Sequence, residues 1–551
     1  MKHFYLKPKF FSVMKTYNKE QFFKDLIAGI IVAIIALPLS IALALASGVE
    51  PACGVYTAIA AGFCVSLLGG SRVQIAGPTA AFATIVAGVV ATNGMDGLFI
   101  ATVLAGIMLI LMGVFKFGSL IKFIPYTITT GFTAGIAVTI LIGQIKDFLG
   151  LTYATGVKPV ETLEKIEANI HAISTFSWQA LLVGVVCLAI LIVYPKIEKR
   201  IPPSLIAVVV GALMVQFIPG LDEHVFTIGD LYTIPAGLPG LSFAGMDFSF
   251  AKVAAVLPDA FTIAILAAIE SLLSCVVADS MVNSKHNSNA ELVGQGVANI
   301  ASVLFGGIPA TGAIARTAAN VKNGGRTPVA GMIHSVVLLL VLLFLMPYAA
   351  LIPMPAIAAI LFVVAYNMSE WKKFVRTVKT APKSDILVLV VTFVLTVLFD
   401  LVVAIVVGLI LAVFLFMKRM SEETHVDSWK YAEEDPDSID LKQVPRAVRV
   451  YEITGPLFFG AADKILDVTF KEYTRCLILR MREVNALDAT AMNALEELYK
   501  KCQKKNVALV LSHVNEQPLT VMKKAGFYDS VGAEHFCPHI DDALALAEKF
   551  S

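Results

Sequence analysis

Apolar residues run through the first three-quarters of the chain in blocks too long and too uniform for the surface helices of a water-soluble protein. They fall near 26–46, 52–69, 79–92, 97–115, 124–145, 176–195, 202–218, 254–277, 288–305, 311–321, 327–348, 352–366, 383–400 and 401–418. Most approach the ~20 residues that a helix needs to cross a bilayer. Fourteen helical segments are therefore expected, two of them of half length. From about 446 the pattern changes. AVRVYEI and LFFG read as strands, AADKILDVTFKEY as a helix and RCLILRM as a strand. TAMNALEELYKKCQKKN follows as an amphipathic helix, VALVLSHV as a strand, and QPLTVMKKAGF and ALALAEKF as helices. That order describes a small α/β unit. The chain divides into an N-terminal segment at 1–25, a membrane domain at 26–419, a polar linker at 420–445 containing EEDPDSIDL, and the α/β domain at 446–551.

Composition agrees with this division. Of 551 residues, 57% are hydrophobic and 15% charged, an apolar fraction well above that of soluble domains, which excludes a soluble enzyme. Residues 26–419 hold 21 Lys/Arg and 18 Asp/Glu in 394 positions, whereas 420–551 hold 16 and 22 in 132. One part is built for lipid and the other for water. The net charge of +1 and the scattered basic residues exclude a nucleic-acid surface. The seven cysteines form no CxxC pair and read as packing residues. A GxxxxGK[ST] phosphate loop is absent, which argues against a primary pump. The first apolar block is long, carries no small-residue cleavage site, and is expected to be retained as a helix.

Charge also orients the chain. Lys2, Lys7, Lys9, Lys15, Lys19 and Lys24 stand beside Phe10, Phe11, Phe22 and Phe23 in a leader suited to the cytoplasmic membrane surface. Threading from an inside start puts sixteen basic residues in inside-facing connections: Arg72, Lys116, Lys122, Lys196, Lys199, Arg200, Lys285, Lys322, Arg326, Lys372, Lys373, Arg376, Lys379, Lys383, Lys418 and Arg419. Only Lys146, Lys158, Lys165 and Lys252 fall outside. The positive-inside rule thus places both termini in the cytoplasm.

Residues 306–331, GGIPATGAIARTAANVKNGGRTPVAG, break the apolar pattern with Gly, Ala, Thr and one arginine. Gly306, Gly307 and Pro309 interrupt regular structure, and Thr311 and Gly312 are expected to start a helix too short to span. Its first N–H groups then lack partners, which in hydrocarbon costs several kcal/mol unless something accepts them. An anion suits such a terminus, and Arg316 adds a full positive charge one turn further in. The competing explanation is close packing by small residues with Arg316 in a structural pair.

Residues 69–89, GGSRVQIAGPTAAFATIVAGV, repeat this recipe: paired glycines, a β-like run from Val73 to Ile75, a Gly-Pro break, then small residues. Thr79 stands 232 positions before Thr311, and Pro38 stands 232 before Glu270. Broken helices at matching places in two halves point to a binding site between inverted repeats of a secondary transporter. Glu270, in FTIAILAAIESLLSC, has no basic residue within four positions and is the candidate proton carrier. A fixed Glu270–Arg316 ion pair is the alternative. Asp259, Asp279, Glu291 and Asp400 read as caps or interfacial groups. Gly131 and Gly135 form a GxxxG suited to internal helix packing. In the α/β domain, the LDAT turn at 487–490 places Asp488 and Thr490 at a helix start. Asp488 alone is explained by an ordinary cap.

The run AIESLLSCVVADSMVNSKHNSNAELVGQGVANIASVLFGGIPATGAIARTAANV, with GGSRVQIAGPTAAF before it and the LDAT-containing domain after it, resembles the SulP (sulfate permease) family of anion transporters with a C-terminal STAS domain. Within that family IALPLSIALALASGV, GPTAAF, QIKDFLGL, AIESLL and GPLFFGAA are most similar to bacterial C4-dicarboxylate transporters. The resemblance implies fourteen spans in a seven-plus-seven inverted repeat with core and gate subdomains, a homodimer, and transport by an elevator-like shift. It implies an anion site lined by Thr79, Ala80 and Ala81 on one half-helix and by Ala313, Ile314 and Ala315 on the other. Leu39, Leu43 and Glu270 complete the wall. Thr490 corresponds to the phosphorylation position of bacterial STAS signalling proteins, where a cytosolic regulator would act.

Departures from the family pattern refine these expectations. Sodium-coupled bicarbonate relatives carry Asp at the position of Glu270 and a hydroxyl residue at that of Ile314, so this chain lacks a sodium ligand and favours a proton. Animal exchangers often place serines where Ala313 and Ala315 stand, which leaves backbone N–H groups as the donors here. The expected function is proton-coupled uptake of a small anion, a C4-dicarboxylate such as succinate, fumarate or aspartate, with no cofactor or metal. A sodium-coupled bicarbonate carrier, a sulfate transporter, and an anion channel or sensor are the alternatives.

Overall fold

The structure is a computed structural model describing residues 6–119, 125–155, 157, 159–198, 201–233, 240–241, 249–399, 401–429 and 444–550. Lys2, Lys122, Lys158, Lys199, Arg200, Asp400 and the EEDPDSIDL stretch lie outside the described residues. The chain separates into two compact units, 1–409 and 410–551.

The first unit is helical. Its principal helices are α1 (Lys19–Ala46), α2 (Pro51–Leu68), α3 (Ala80–Val114), α4 (Tyr126–Leu149), α5 (Trp178–Ile197), α6 (Pro203–Phe217), α7 (Leu257–Val282), α8 (Ser288–Leu304), α9 (Ile314–Lys322), α10 (Pro328–Phe344), α11 (Met354–Ser369) and α12 (Lys383–Leu398). The helix α13 (Leu401–Glu423) carries the chain into the second unit. Every apolar block of the sequence coincides with one of these helices. Blocks 79–92 and 97–115 join in α3, which bends at Gly94, whose φ of 69° is outside helical geometry. Among the described residues, eight helices are long and apolar enough to cross a membrane.

The helices form two packed sets. In one, α8 lies on α2 and α3, α7 on α3, and α10 on α1 and α2; in the other, α4 packs against α11 and α12, and α5 against α6 and α11. Glycine sets how closely they approach. A Cβ on Gly106 of α3 would stand 2.7 Å from the carbonyl oxygen of Gly296 on α8, and one on Gly131 would stand 2.6 Å from that of Leu389 on α12. The Gly131–Gly135 face is therefore spent inside this chain. In lipid, where tails are as apolar as side chains, such close contact supplies much of the association energy.

The second unit is a five-stranded sheet, β3 (His425–Ser428), β4 (Val448–Thr454), β5 (Cys476–Glu483), β6 (Ala508–Ser512) and β7 (Phe536–Cys537), numbered after a small β1–β2 pair in the first unit. The sheet order is β3-β4-β5-β6-β7, with only the β3–β4 pair antiparallel. Helices α14 (Ala489–Lys504), α15 (Glu516–Lys524) and α16 (Ile540–Ala547) accompany it. Leu477, Leu479 and Leu511 alternate with Cys476, Ile478 and Val510 on opposite faces, each over its own apolar cluster. Burial pushes the Cys476 and Cys502 thiols up to about 12, in keeping with packing residues.

Two expectations fail in this unit. LFFG is not a strand, since Leu457 forms only an isolated bridge to Leu487. AADKILDVTFKEY yields helix only at Asp463–Leu466, because Tyr451 donates its hydroxyl to Thr469 O and pins the chain there in a non-helical course. The expected linker is also partly ordered, as α13 extends to Glu423 and β3 follows.

Replacing Gly296 by Val is expected to separate α3 from α8 and to destabilise the protein by about 1–3 kcal/mol. A melting temperature of purified protein lowered by several degrees is the measurement; an unchanged value would refute the seam.

Candidate anion-binding site

The site is organised by the shortest sheet in the protein. β1 (Ala76–Gly77) and β2 (Thr311–Gly312) pair antiparallel, Ala76 with Gly312 and Gly77 with Thr311, and Ala313 N donates to Ile75 O at 2.8 Å. This corrects the sequence reading twice. Thr311 and Gly312 are strand, so α9 begins at Ile314 with Ala313 as its cap, and the strand in the first half is Ala76–Gly77 instead of Val73–Ile75. The helix caps are Thr79 and Ala313, so the correspondence between the halves slips by two residues from the 232 spacing. Pairing of Thr311 and Gly312 across the ladder uses the backbone groups that a helix there would have needed.

Two residues carry the chain from β1 to α3 and one from β2 to α9, so both helix starts are tethered to the same ladder. Neither is capped by a side chain. Ala313 has no oxygen to offer. Thr79 turns its hydroxyl away from its own helix and donates to Glu270 Oε2 at 2.9 Å. Two sets of N–H groups therefore remain available, each at the positive end of a helix dipole. Arg316 Nη2 donates to Pro78 O at 3.2 Å, joining the first turn of α9 to the residue before the cap of α3.

The structure gathers most of the expected site residues around this junction. Ile314 and Ala315 are exposed, while Glu270 and Leu39 are half-buried. Thr79, Ala80 and Ala313 are nearly closed off, and Ala81 and Leu43 are packed in the hydrophobic core. Leu43 therefore does not line an open wall in this conformation. Arg316 is only 1% exposed, and it reaches the junction through its hydrogen bond to Pro78 O. No ion pair within 4.0 Å joins Glu270 to Arg316 among the described residues.

Behind the junction lies a set of polar side chains that the sequence reading did not single out. Asn299 donates to Ala310 O and accepts from Ala310 N, both at 2.9 Å. Thr57 Oγ1 accepts from Ile308 N at 2.7 Å and donates to Cys53 O. Ser271 Oγ accepts from Gly312 N and lies 2.7 Å from Thr311 Oγ1. Gln74 donates to Ser271 O and accepts from Ser274 Oγ, Thr317 Oγ1 accepts from Ile75 N, and Asn320 donates to Val73 O. Each sits in an otherwise apolar helix or beside a glycine break, and that juxtaposition was the available signal.

One acidic residue also differs from its reading as a cap or interfacial group. Glu291 is fully buried and accepts from Gly70 N and Ser71 N through Oε2, fixing the loop that leads into β1. Asp279 accepts from both the backbone N–H and the Nδ1 of His286. Asp25, buried at the start of α1, accepts from Arg326 N and Thr327 Oγ1 and so holds the entry to α10. In the second unit Asp488 Oδ1 accepts from Ala491 N at 2.9 Å, capping α14, and its Oδ2 accepts from Phe459 N at 2.8 Å, while Thr490 is exposed.

A helical membrane domain with two broken helices meeting at a junction, followed by a compact α/β domain, is the architecture of a helical membrane transporter with an appended domain. The sulfate permease family profile matches residues 22–392 and the STAS domain profile matches 438–543. This chain belongs to the sulfate permease (SulP) family and carries a STAS domain, and it is an anion transporter and not an enzyme. It is 42% identical to "Putative sulfate transporter YvdB" of Bacillus subtilis over 97% of this chain and 99% of that protein. It is 32% identical to the bicarbonate transporter BicA of Picosynechococcus sp. over 86% of this chain and 85% of that one. The overall structure of SLC26A9 is similar in fold, with a TM-score of 0.88 at 19% identity over 99% of this chain and 93% of that one. The transmembrane domain of a cyanobacterial BicA aligns with a TM-score of 0.63 at 32% identity, covering 72% of this chain and 98% of that domain.

Small side chains at the start of α9 leave its N–H groups approachable. Ala315→Phe is therefore expected to lower anion affinity at least ~30-fold, a loss of about 2 kcal/mol, while the protein inserts and melts normally. Unchanged affinity in the purified variant would remove Ala315 from the site.

Proposed function

We propose that this protein takes up small carboxylate anions, C4-dicarboxylates such as succinate, fumarate or aspartate, together with protons. The observation that carries this reading is the Glu270–Thr79 hydrogen bond: a carboxyl without a paired cation touches the cap of one of the two uncapped helix starts. Thr79, Ala80, Ala81, Ala313, Ile314 and Ala315 surround the anion. Arg316 supplies long-range positive field, and Leu39 and Leu43 contribute apolar wall as the site opens.

Glu270 is the proton carrier. An ionised carboxylate beside the entering anion repels it, whereas the protonated acid does not, so protonation and anion loading favour each other. The absence of a close Glu270–Arg316 pair supports this over the structural-pair reading, because a fixed pair would hold the proton off. Transport proceeds by an elevator-like shift of the helices bearing the junction past the α4–α6, α11 and α12 set. The rest of the scheme is a fourteen-span chain in the inner membrane, both termini cytoplasmic, acting as a homodimer. The working divisions remain 1–25, 26–419, 420–445 and 446–551.

The names of the relatives favour a second reading, transport of bicarbonate or sulfate. Competition among succinate, fumarate, aspartate, bicarbonate and sulfate in proteoliposomes separates the two, and uphill accumulation separates a carrier from a channel.

Uptake is expected to rise as external pH falls, because protonation of Glu270 precedes inward movement. Glu270→Gln mimics the protonated acid and should abolish pH-driven accumulation while retaining downhill exchange. Proton-driven uptake at the wild-type level by well-expressed Glu270→Gln would end the coupling assignment, and sodium-dependent uptake would favour the bicarbonate-type alternative.

The STAS domain is a regulatory module acting through the Asp488–Thr490 turn. A phosphate on Thr490 adds about −1.5 to −2 charges at the start of α14, where the dipole favours them. Thr490→Glu is expected to shift transport rate relative to Thr490→Ala by at least twofold. Identical rates for both and for wild type would make the turn structural only.

A further inference from the structure

The last long apolar helix passes into the α/β domain through a single residue. α13 ends at Glu423, Thr424 follows, and β3 begins at His425, which lies opposite Thr454 of β4. The end of α13 is then held by a segment that comes later in the chain. Lys464 donates to both Ser421 O and Thr424 O, bringing a cation to carbonyls that a helix C-terminus leaves unpaired. Ser421 Oγ donates to Gly460 O. The Thr424 hydroxyl lies 3.0 Å from Met420 O of α13 and 3.0 Å from Pro456 O, and the residue is fully buried. Gly455 admits this approach, since its φ is 93° and a Cβ there would stand 3.0 Å from Thr424 Oγ1.

The same segment is bonded on its other side to the turn that bears Thr490. Leu457 N donates to Ala486 O at 2.9 Å, Asp488 N to Leu457 O at 3.1 Å, and Phe459 N to Asp488 Oδ2 at 2.8 Å. Asp488 Oδ1 is committed to capping α14 through Ala491 N. The bond to Phe459 is therefore the one that can be lost without uncapping that helix. A phosphate on Thr490 would stand two residues from this carboxylate, repel it, and compete for the N–H groups at the start of α14.

We propose that Lys464 is the positioning residue that joins α13 to the α/β domain, and that residues 456–464 carry a change at the Asp488–Thr490 turn to the end of α13. Repulsion at the turn breaks the Asp488–Phe459 bond, the segment loosens, and Lys464 withdraws from the last carbonyls of α13. The helix end, held until then by one cation and two hydroxyls, is free to open locally. The inference deepens the regulatory reading of the turn and rests on it for any effect on transport.

The test is hydrogen–deuterium exchange of the full-length protein in nanodiscs, which needs no substrate. Lys464→Met removes the donor and Lys464→Arg restores one. Lys464→Met is expected to speed exchange about tenfold in 456–461 and in 486–491 while β5 and β6 stay within about twofold, and Lys464→Arg to return both segments to within about threefold of wild type. Asp488→Asn keeps an acceptor for Ala491 N but sets a donor in place of the second oxygen. It should speed exchange in 420–425 by a similar factor. Transport supplies the second readout, in proteoliposomes with succinate, bicarbonate and sulfate as probes. The difference in rate between Thr490→Glu and Thr490→Ala should vanish when Lys464→Met is added and return with Lys464→Arg, the signature of groups acting as a unit. Equal rates for the two Thr490 variants in the otherwise wild-type chain would end the regulatory reading, and the exchange data would still decide the coupling. Unchanged exchange at 486–491 in Lys464→Met, unchanged exchange at 420–425 in Asp488→Asn, or a Thr490 effect that survives Lys464→Met would each overturn the proposal.

Discussion

The structure depends on satisfying a few peptide groups in the interior of a membrane domain. β1 and β2 contribute only two residues each, so their ladder meets few of the N–H and C=O groups that the broken helices release. Unmet, each would cost several kcal/mol in hydrocarbon. Thr57, Ser271, Asn299, Thr317 and Asn320 meet them from α2, α7, α8 and α9, with Gln74 tying Ser271 and Ser274 to the loop. The irregular backbone is thereby bonded without a helix of its own. At this junction the N–H groups after Thr79 and Ala313 have no side-chain caps, and those are the ones the proposed anion site uses.

This arrangement also explains the placement of the charges. Glu291 is buried but spends its carboxylate on Gly70 and Ser71, and Asp25 spends its own on the entry to α10. Both act as fixed struts. Glu270 differs, since among the described residues its one hydrogen-bond donor is the Thr79 hydroxyl and it is half-buried. A carboxyl with one modest donor and no close cation is the kind of group whose protonation can change with access, whereas a fully bonded one cannot do so without breaking its scaffold. The same contrast separates Asp488, committed to two backbone N–H groups, from its exposed neighbour Thr490.

Packing divides the membrane helices into two sets, and the junction belongs wholly to one of them. Within that set, Gly106 and Gly296 bring α3 and α8 into backbone contact. Gly131 and Gly135 do the same for α4 and α12 in the other. Backbone-close seams join the helices within each set, as the proposed movement of one set past the other would require.

The sequence by itself determined the broad plan of this protein. Long apolar blocks admit no solution but membrane helices, because peptide groups in lipid must bond within their own segment. The Gly-Pro breaks at 77–78 and 306–309 likewise had to interrupt two of them. A change from apolar blocks to alternation announced the α/β domain. Only the tertiary structure decided which atoms meet. Whether Thr311 is helix or strand depends on β1, some 230 residues away, and whether Glu291 is a cap or a strut depends on Gly70 and Ser71. Whether Arg316 pairs with Glu270 depends on where α7 and α9 place them. These are long-range contacts, and periodicity, which reports only which face of an element is buried, carries no information about the partner that buries it.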